Sequence, residues 1–246
     1  MYEQRGFRQW VSRLLSLGLP KEQLLGVSEN KYSAFHQEAW IRNLLKEAQR
    51  NRLHLHVSLE EVPFFILDTE TTGFYPQLGD EIIAIAAAKT MNGTIQNFYF
   101  SLIKPGRMIP HEITKLTGIT DKDVESAPRL AEEITKLLAF LENGVIVGYH
   151  IGHDLVFINH FLWTQYRTKL THRYFEMKSI LEMLYGKGAF PTLDDALHYY
   201  SIYCEKRHTA DGDVRAMTEL WGYLLQELRQ NGIETLHDLY SALSLC

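Results

Sequence analysis

Two carboxylic acids stand where an apolar segment of the sequence ends. Asp68 and Glu70 directly follow residues 64–67, an apolar run that predicts a short buried strand ending there. Because residues i and i+2 of a strand project to the same side, the two carboxylates should share one face. Two carboxylates this close repel each other unless a cation lies between them. The pair therefore suggests a metal site.

Two further acids and a histidine occur at similar positions later in the chain. Asp154 follows a predicted strand at 145–147 and begins a helix, and Asp213 lies in the first turn of the last long helix, just after His208. If the sheet brings these groups together, the site contains four carboxylates and one imidazole. Such oxygen-rich sites favour Mg²⁺ or Mn²⁺ over zinc. Two such ions, about 3.5–4 Å apart, commonly serve in-line attack on a phosphodiester.

Taken one at a time, these residues have simpler structural interpretations. The first pair would be a turn start and a solvated charge, since acidic-x-acidic triplets recur at 121–123 and 211–213. Asp154 and Asp213 would be acids that interact favourably with a helix N-terminus. His208, one of 11 histidines, would be a surface or packing residue. Only the joint pattern favours a catalytic site.

The apolar patterning predicts an α/β fold around these residues. Three strands, at 62–67, 82–88 and 95–103, are joined by short turns and should form an antiparallel meander. Strands at 145–147 and 172–177 then alternate with helices. This order predicts a mixed five-stranded sheet flanked by helices. The predicted helices cover residues 6–17, 31–52, 128–141, 154–165, 193–201 and 211–229.

The chain is predicted to divide into three parts. A helical extension covers residues 1–60, an α/β domain covers 61–232, and a helical tail covers 233–246. Residues 1–53 contain nine Lys or Arg and five Asp or Glu, whereas the rest contains 16 and 25. An acidic body argues against a protein that coats nucleic acid through a broad basic face.

Composition indicates the compartment. The chain is 46% hydrophobic and 22% charged, an ordinary globular balance. Two cysteines, Cys204 and Cys246, cannot build a disulfide framework and indicate a reducing environment. The apolar run at 82–88 is far shorter than the roughly 18–20 residues that span a bilayer, and the N-terminus has no apolar signal segment. We therefore expect a soluble, cytoplasmic protein without a membrane partner.

Three segments carry the candidate residues in characteristic wording. Residues 65–73 read Phe-Ile-Leu-Asp-Thr-Glu-Thr-Thr-Gly, residues 147–162 contain Asp154, and residues 208–218 place a histidine five positions before the aspartate. In this order they resemble the three motifs of the DEDDh 3′–5′ exonucleases, the superfamily of the proofreading subunit of bacterial replicative DNA polymerase. The resemblance covers about residues 62–228 and implies a ribonuclease H-like fold. The connecting stretches 109–113, 117–120, 127–128 and 192–197 also fit.

The resemblance implies a role for each candidate residue. Asp68, Glu70 and Asp213 would bind one divalent cation, Mg²⁺ or Mn²⁺, and Asp68 and Asp154 would bind a second. His208 would be the general base that deprotonates the attacking water, since histidine titrates near neutral pH. The implied reaction releases nucleoside 5′-monophosphates from 3′ ends of single-stranded DNA, or of RNA. The implied substrate-binding residues are Thr69, Thr71, Thr72, Gly73, Tyr149 and His150.

The second motif departs from the family pattern, which has His-Asn, two residues and Phe before the aspartate. Tyr149, His150 and His153 stand at these places, which changes the expected contacts to the scissile nucleotide more than it changes catalysis. Residues 150–154 also contain the His-Asp pair of metal-dependent phosphohydrolases of the HD type. That fold is all-helical, whereas this pair follows a strand.

Other interpretations remain open at this point. A catalytically silent nucleic-acid-binding or polymerase-associated scaffold of the same fold is the alternative function, although a decayed site usually loses a ligand and all five residues are present. The extension 1–60 would be ordinary helical packing, a docking segment for a polymerase or another protein, or a basic grip on the strand. The grip would use Arg8, Arg13, Arg42, Lys46, Arg50 and Arg52. We predict core positions, rather than stacking platforms, for Trp163, Tyr166, Tyr199, Tyr200 and Tyr203.

Overall fold

The computed structural model describes the backbone of residues 31–245 and the side chains of residues 36–245. The helix predicted at 6–17 lies outside the described residues. The chain divides into two compact units between Trp40 and Ile41. Helix α1, Lys31–Arg50, confirms the helix predicted at 31–52, and its residues from Ile41 onward belong to the unit that contains the sheet.

Five strands form one mixed sheet in the order β3-β2-β1-β4-β5. The first three pair antiparallel, and β1, β4 and β5 pair parallel, which confirms the predicted meander and mixed sheet. The β2–β3 turn contains Asn92 and Gly93, both with positive φ, as a type I′ hairpin requires. The strands are β1 (Phe64–Thr71), β2 (Ile82–Met91), β3 (Thr94–Leu102), β4 (Val145–Gly148) and β5 (Arg173–Glu176).

Strand β1 extends further than predicted. The sequence analysis ended it at Leu67, but pairing with β2 continues through Asp68 opposite Ala86 and Glu70 opposite Ala84. The apolar run marks only the part buried on both faces, whereas backbone pairing continues into the polar segment. Asp68 and Glu70 are therefore strand residues of the central strand.

The helices follow the predicted order, with two additions that the sequence analysis missed. Helix α2 is seven residues long and too short for a periodic signal; it ends at Thr117 and is capped by Gly118, whose φ of 74° suits glycine. Helix α5 begins directly after β5, with no turn between them. The sequence therefore shows no break there, and the prediction extended the strand to residue 177 instead of starting a helix. The bounds are α2 (His111–Thr117), α3 (Leu130–Leu141), α4 (Ile151–Tyr166), α5 (Met177–Tyr185), α6 (Leu193–Tyr199), α7 (Ala210–Gln230) and α8 (Leu236–Leu243), with a 3₁₀ turn at Pro76–Leu78.

Helices cover both faces of the sheet. On one face, Phe65 and Leu67 of β1 pack into a core shared with the second half of α1, with α3 and with α4. On the other face, Phe64 and Ile66 pack against α5, α7 and α8. Trp221 of α7 is fully buried there, with its ring edge-on to Phe64 at a centroid distance of 4.8 Å. The long helix α7 is thereby fixed across β1, and its first turn carries Asp213.

The segment before β1 is bound to the end of the chain. The Leu59 N–H donates to the Glu234 carbonyl at 2.8 Å, and the His237 N–H donates to the Leu55 carbonyl at 2.8 Å. The predicted division at residues 60/61 and 232/233 stays a prediction. Within residues 31–245, no helix has the length and apolar content that crossing a bilayer requires.

Candidate active site

Strand β1 and the first turn of α7 bring three carboxylates together. Asp68 and Glu70 project from the same side of β1, and each offers a carboxylate oxygen that lies within 4.8 Å of those of the other and of Asp213. Thr209 caps α7 by accepting a hydrogen bond from the Gly212 N–H. A side chain at Gly212 would clash with the Lys206 carbonyl, so glycine lets the preceding loop pack closely against the helix start.

Asp154 approaches the same group from helix α4. One of its carboxylate oxygens accepts hydrogen bonds from the Thr69 N–H at 2.8 Å and from the Thr69 hydroxyl at 2.6 Å. Strand β4 runs parallel to β1, so the carboxyl ends of both strands lie on the same side of the sheet. The helix that follows β4 therefore begins near the end of β1, where Asp68 and Glu70 lie. Asp154 is close enough to both for its charge to raise their pKa values.

The positive charge near the four carboxylates is not enough to neutralise them. Burial, and then the neighbouring Asp213 and Asp154, raise the pKa of Glu70 to about 8. Burial raises the pKa of Asp154 to about 7 and also raises that of Asp213. The pKa of Asp68 is raised well above its usual range by burial and by all three neighbours. A donor set of partly or fully buried, mutually repelling carboxylates fits a hard divalent cation.

His208 lies beside this cluster in the loop that leads into α7. Its side chain is exposed, and its backbone has a positive φ of 59°. The His208 backbone amide and imidazole both lie near the Asp213 carboxylate and lower its pKa. The imidazole is thus next to the carboxylates and accessible to solvent, which is a suitable position for proton transfer.

The predicted substrate-binding residues differ in their placement. Thr69 is bound to Asp154, and the Thr71 hydroxyl donates to the Gly73 carbonyl at 2.7 Å. The Tyr149 side chain is buried and its hydroxyl donates to the backbone carbonyl of Thr192 at 3.0 Å. Tyr149 therefore anchors the loop before α6, and within the described residues its side chain forms no hydrogen bond to the four carboxylates.

The neighbours of Tyr149 complete the altered second motif. The exposed His150 heads α4 with a positive φ of 58°, and its N–H donates to the Glu176 carboxylate at 2.8 Å. The His153 ring lies between Phe74 and Phe157, at centroid distances of 5.7 and 4.9 Å. Burial lowers the pKa of His153. The His153 Nε2 lies 3.4 Å from the Thr71 hydroxyl, which places the ring beside the end of β1 that carries Glu70.

Sequence reasoning missed Arg207, which reaches into the carboxylate cluster. Its guanidinium forms an ion pair with Asp213 and another with Asp194 of α6, the latter at 2.6 Å. It lowers the pKa of Asp68, Glu70 and Asp213. The only signal in the sequence is its position next to His208, which does not indicate which acids the loop would meet.

We expect the substitution Arg207→Gln to tighten binding of Mn²⁺ by about tenfold. The guanidinium occupies a carboxylate oxygen of Asp213 that a cation would use, and a charge-assisted hydrogen bond of this kind is worth about 1.5 kcal/mol. Titration calorimetry on wild type and variant measures the affinity. A matched control is Arg229→Gln, which removes a cation paired with Glu60 away from the site; equal changes in both variants would contradict the prediction.

The structure corrects the predicted core positions of three aromatic residues. Trp163, Tyr199 and Tyr203 have exposed fractions of 49%, 56% and 85%. Tyr199 is the last residue of α6, which ends two residues earlier than predicted; Tyr203 lies in the loop that follows, and Trp163 lies on the outer side of α4. Tyr166 is buried as predicted, and the partly buried Tyr200 donates to Glu227 at 2.9 Å.

Comparison with known proteins identifies the same part of the chain. A family model described as Exonuclease matches residues 65–221, more than half of the chain. A DNA polymerase III subunit epsilon-like protein of Rhodobacter capsulatus is 33% identical over 186 residues, which cover 72% of this chain and 26% of that protein. The DNA polymerase III subunit epsilon of Aquifex aeolicus is 29% identical over 181 residues, covering 72% of this chain and 87% of that protein.

The fold is also similar to solved structures. The nuclease domain of 3′hExo, a DEDDh family member bound to rAMP, superposes with a TM-score of 0.61 at 16% identity. The superposition covers 70% of this chain and 95% of that one. At this identity the similarity shows the fold alone, and it confirms the ribonuclease H-like sheet flanked by helices.

Proposed function

The chain belongs to the exonuclease family whose model matches residues 65–221, and its three motifs resemble those of the DEDDh 3′–5′ exonucleases. On this basis we propose that it hydrolyses single-stranded nucleic acid from the 3′ end to nucleoside 5′-monophosphates. The observation that carries the proposal is the convergence of Asp68, Glu70 and Asp213 within 4.8 Å. DNA is the favoured substrate because the sequence relatives are DNA polymerase III subunits, and RNA is the alternative. We also propose a polymerase, or another protein, as a partner through residues 1–60; the names of the relatives support a polymerase as the partner.

The donor set supports two divalent cations, Mg²⁺ or Mn²⁺. Asp68, Glu70 and Asp213 would hold one ion, and Asp68 with Asp154 would hold the second. Bound there, the ions would stabilise charge on the phosphodiester and make the attacking water more acidic. The two hydrogen bonds from Thr69 fix the Asp154 carboxylate toward β1, and such supporting contacts orient metal ligands.

The residues around the carboxylates would handle the proton and the substrate. His208 would accept the proton of the attacking water, and its exposed ring can pass that proton to solvent. Thr71, Thr72 and Gly73 continue β1 directly beyond Glu70 and would line the pocket for the terminal nucleotide. His150, exposed at the start of α4, would contact the strand from the opposite side of the site.

The test is a time course on matched 5′-labelled single-stranded DNA and RNA oligonucleotides. With Mg²⁺ or Mn²⁺ we expect a ladder that shortens from the 3′ end, with 5′-monophosphates as products and no cleavage in EDTA. The faster substrate decides between DNA and RNA. Binding of both oligonucleotides by folded, metal-supplied protein without any cleavage would instead support the silent scaffold.

The substitution His208→Ala, run in the same assay, tests the proposed base. Loss of a general base typically costs about 10²- to 10⁴-fold in rate. Mn²⁺ affinity should stay unchanged in this variant, because His208 would act on the water and not on the ions. An unchanged rate, or lost metal binding, would remove the assignment of His208 as the base.

A further inference from the structure

In two segments of this acidic chain, nearly all of the charged residues are positive. Residues 41–53 and 155–175 together contain seven Lys or Arg and a single acid, Glu47. The chain as a whole has a formal net charge of −5, so this local excess runs against the overall balance. A concentration of cations of this kind marks a surface for a polyanion.

Hydrogen bonds hold the two segments side by side. Arg42 of α1 donates to the Tyr166 carbonyl at 2.9 Å, at the last residue of α4. Arg52 donates to the Thr171 carbonyl, and Arg173 donates to the Leu53 carbonyl at 2.7 Å. The cations therefore lie on one continuous surface. We call it the basic surface and define it by Arg42, Arg52, Trp163, Arg167, Lys169 and Arg173.

Trp163 gives this surface an aromatic ring among its cations. The Arg167 guanidinium and the Lys169 ammonium lie over the ring, at 5.9 and 5.7 Å from its centroid. All three side chains are exposed, and neither cation forms an ion pair within the part of the chain that the structure describes. An exposed ring beside unpaired cations suits bases that stack and phosphates that pair with the charges.

We propose that the basic surface binds the single strand upstream of its 3′-terminal nucleotide, an inference that rests on the proposed exonuclease function. Helix α4 connects the two places, since Asp154 is in its first turn and Trp163 in its last. At about 1.5 Å per residue, Trp163 is about 14 Å and Arg167 about 20 Å from Asp154 along the helix. At about 3.4 Å per nucleotide, a strand held in the active site reaches them after roughly four to six nucleotides.

This geometry predicts a dependence on strand length. A strand of about three nucleotides reaches only the carboxylate site, whereas one of about twelve also reaches the basic surface. Longer strands should therefore bind more tightly, and the gain should depend on salt. An acidic protein would use the same charges but would have no need for the Trp163 ring.

The experiment measures binding of 5′-labelled oligothymidylates of these two lengths to the full chain by fluorescence anisotropy in EDTA, over a range of salt concentrations. The double variant Arg167→Gln, Lys169→Gln removes two phosphate contacts, so the slope of log affinity against log salt should become shallower by about 1.4. Affinity for the long strand should fall about tenfold, and affinity for the short strand should not change.

Two further variants make the result specific. Arg229→Gln with Lys136→Gln removes two cations that already have carboxylate partners, and should leave the slope unchanged. Trp163→Ala should weaken binding of the long strand about tenfold, and Trp163→Phe should restore most of it, because phenylalanine keeps an aromatic face. Each variant is checked for an unchanged melting temperature.

The outcomes separate this proposal from the exonuclease itself. Binding in EDTA does not require catalysis, so the basic surface is measured even if no oligonucleotide is cleaved. Cleavage with an unaltered salt slope in the Arg167, Lys169 variant would overturn the basic surface alone. An equal loss of affinity in the Arg229, Lys136 control variant would also overturn it. Competition by polyglutamate as strong as by oligothymidylate of equal charge would overturn it in favour of an acidic protein as the ligand.

Discussion

Replacing Asp68 with asparagine should reduce exonuclease activity by roughly 10³-fold or more while leaving the fold intact. Asp68 is the carboxylate that interacts with all the others, since Asp154, Glu70 and Asp213 each raise its pKa. It is therefore the residue that two bound cations would share. Losing several kcal/mol of charge stabilisation at the phosphate corresponds to this loss in rate. The measurement is kcat/KM on a labelled oligonucleotide, with Mn²⁺ affinity from titration calorimetry.

The chain offers a matched control in a second acidic triplet. Asp211 lies two residues before Asp213 in the first turn of α7, but it is not part of the group of ligand oxygens within 4.8 Å. Asp211→Asn removes the same charge from the same region and should keep activity within about twofold, since isolated surface charges contribute little. Activity in Asp68→Asn close to wild type, or an equal loss in Asp211→Asn, would refute the assigned metal site.

The position of the site could be predicted because it depends on strand geometry. Alternation along β1 places Asp68 and Glu70 on one side whatever the rest of the fold does, and the apolar run before them marks a central strand. The first helical turns that contain Asp154 and Asp213 were also visible, as polar residues preceding apolar periodicity, although α4 begins at Ile151 rather than at the predicted residue 154. Spacing alone does not show which strand ends lie close together in the fold. The order of the three motifs, and their resemblance to a known family, indicated that these residues form one site.

Contacts made across loops could not be predicted in the same way. Arg207 reaches Asp194 and Asp213 because the loop before α7 folds back on α6, and no periodic pattern encodes that path. The exposure of Trp163 depends on which side of α4 is left uncovered. Helix α4 is apolar around much of its circumference, so its sequence gives only a weak indication of the buried side.

The raised pKa values predict that metal-free protein loses stability as pH rises from 6.5 to 8. A carboxyl whose folded pKa exceeds its unfolded value binds more protons in the folded state, so its contribution is present at low pH and lost as pH rises through the folded pKa. Glu70 and Asp154, at about 8 and about 7, titrate in this window. The expected loss is about 2 kcal/mol in the free energy of unfolding, or about 5 °C in Tm.

Two partly buried histidines act in the opposite direction to the carboxylates. Burial lowers the pKa of His153 and His172, so they stabilise the fold as pH rises through the unfolded value of about 6.5. Above pH 6.5 each histidine adds at most about 0.4 kcal/mol, which is less than the loss from the carboxylates. Thermal denaturation at both pH values, in EDTA and in Mg²⁺ or Mn²⁺, measures the slope. A divalent cation should raise Tm most at pH 8 and flatten the slope, because it replaces the protons that the carboxylates otherwise hold. Asp68→Asn should flatten the dependence of metal-free Tm on pH, and Asp211→Asn should retain it. A metal-free Tm that rises with pH would contradict the prediction, because it would show that the carboxylates do not repel one another.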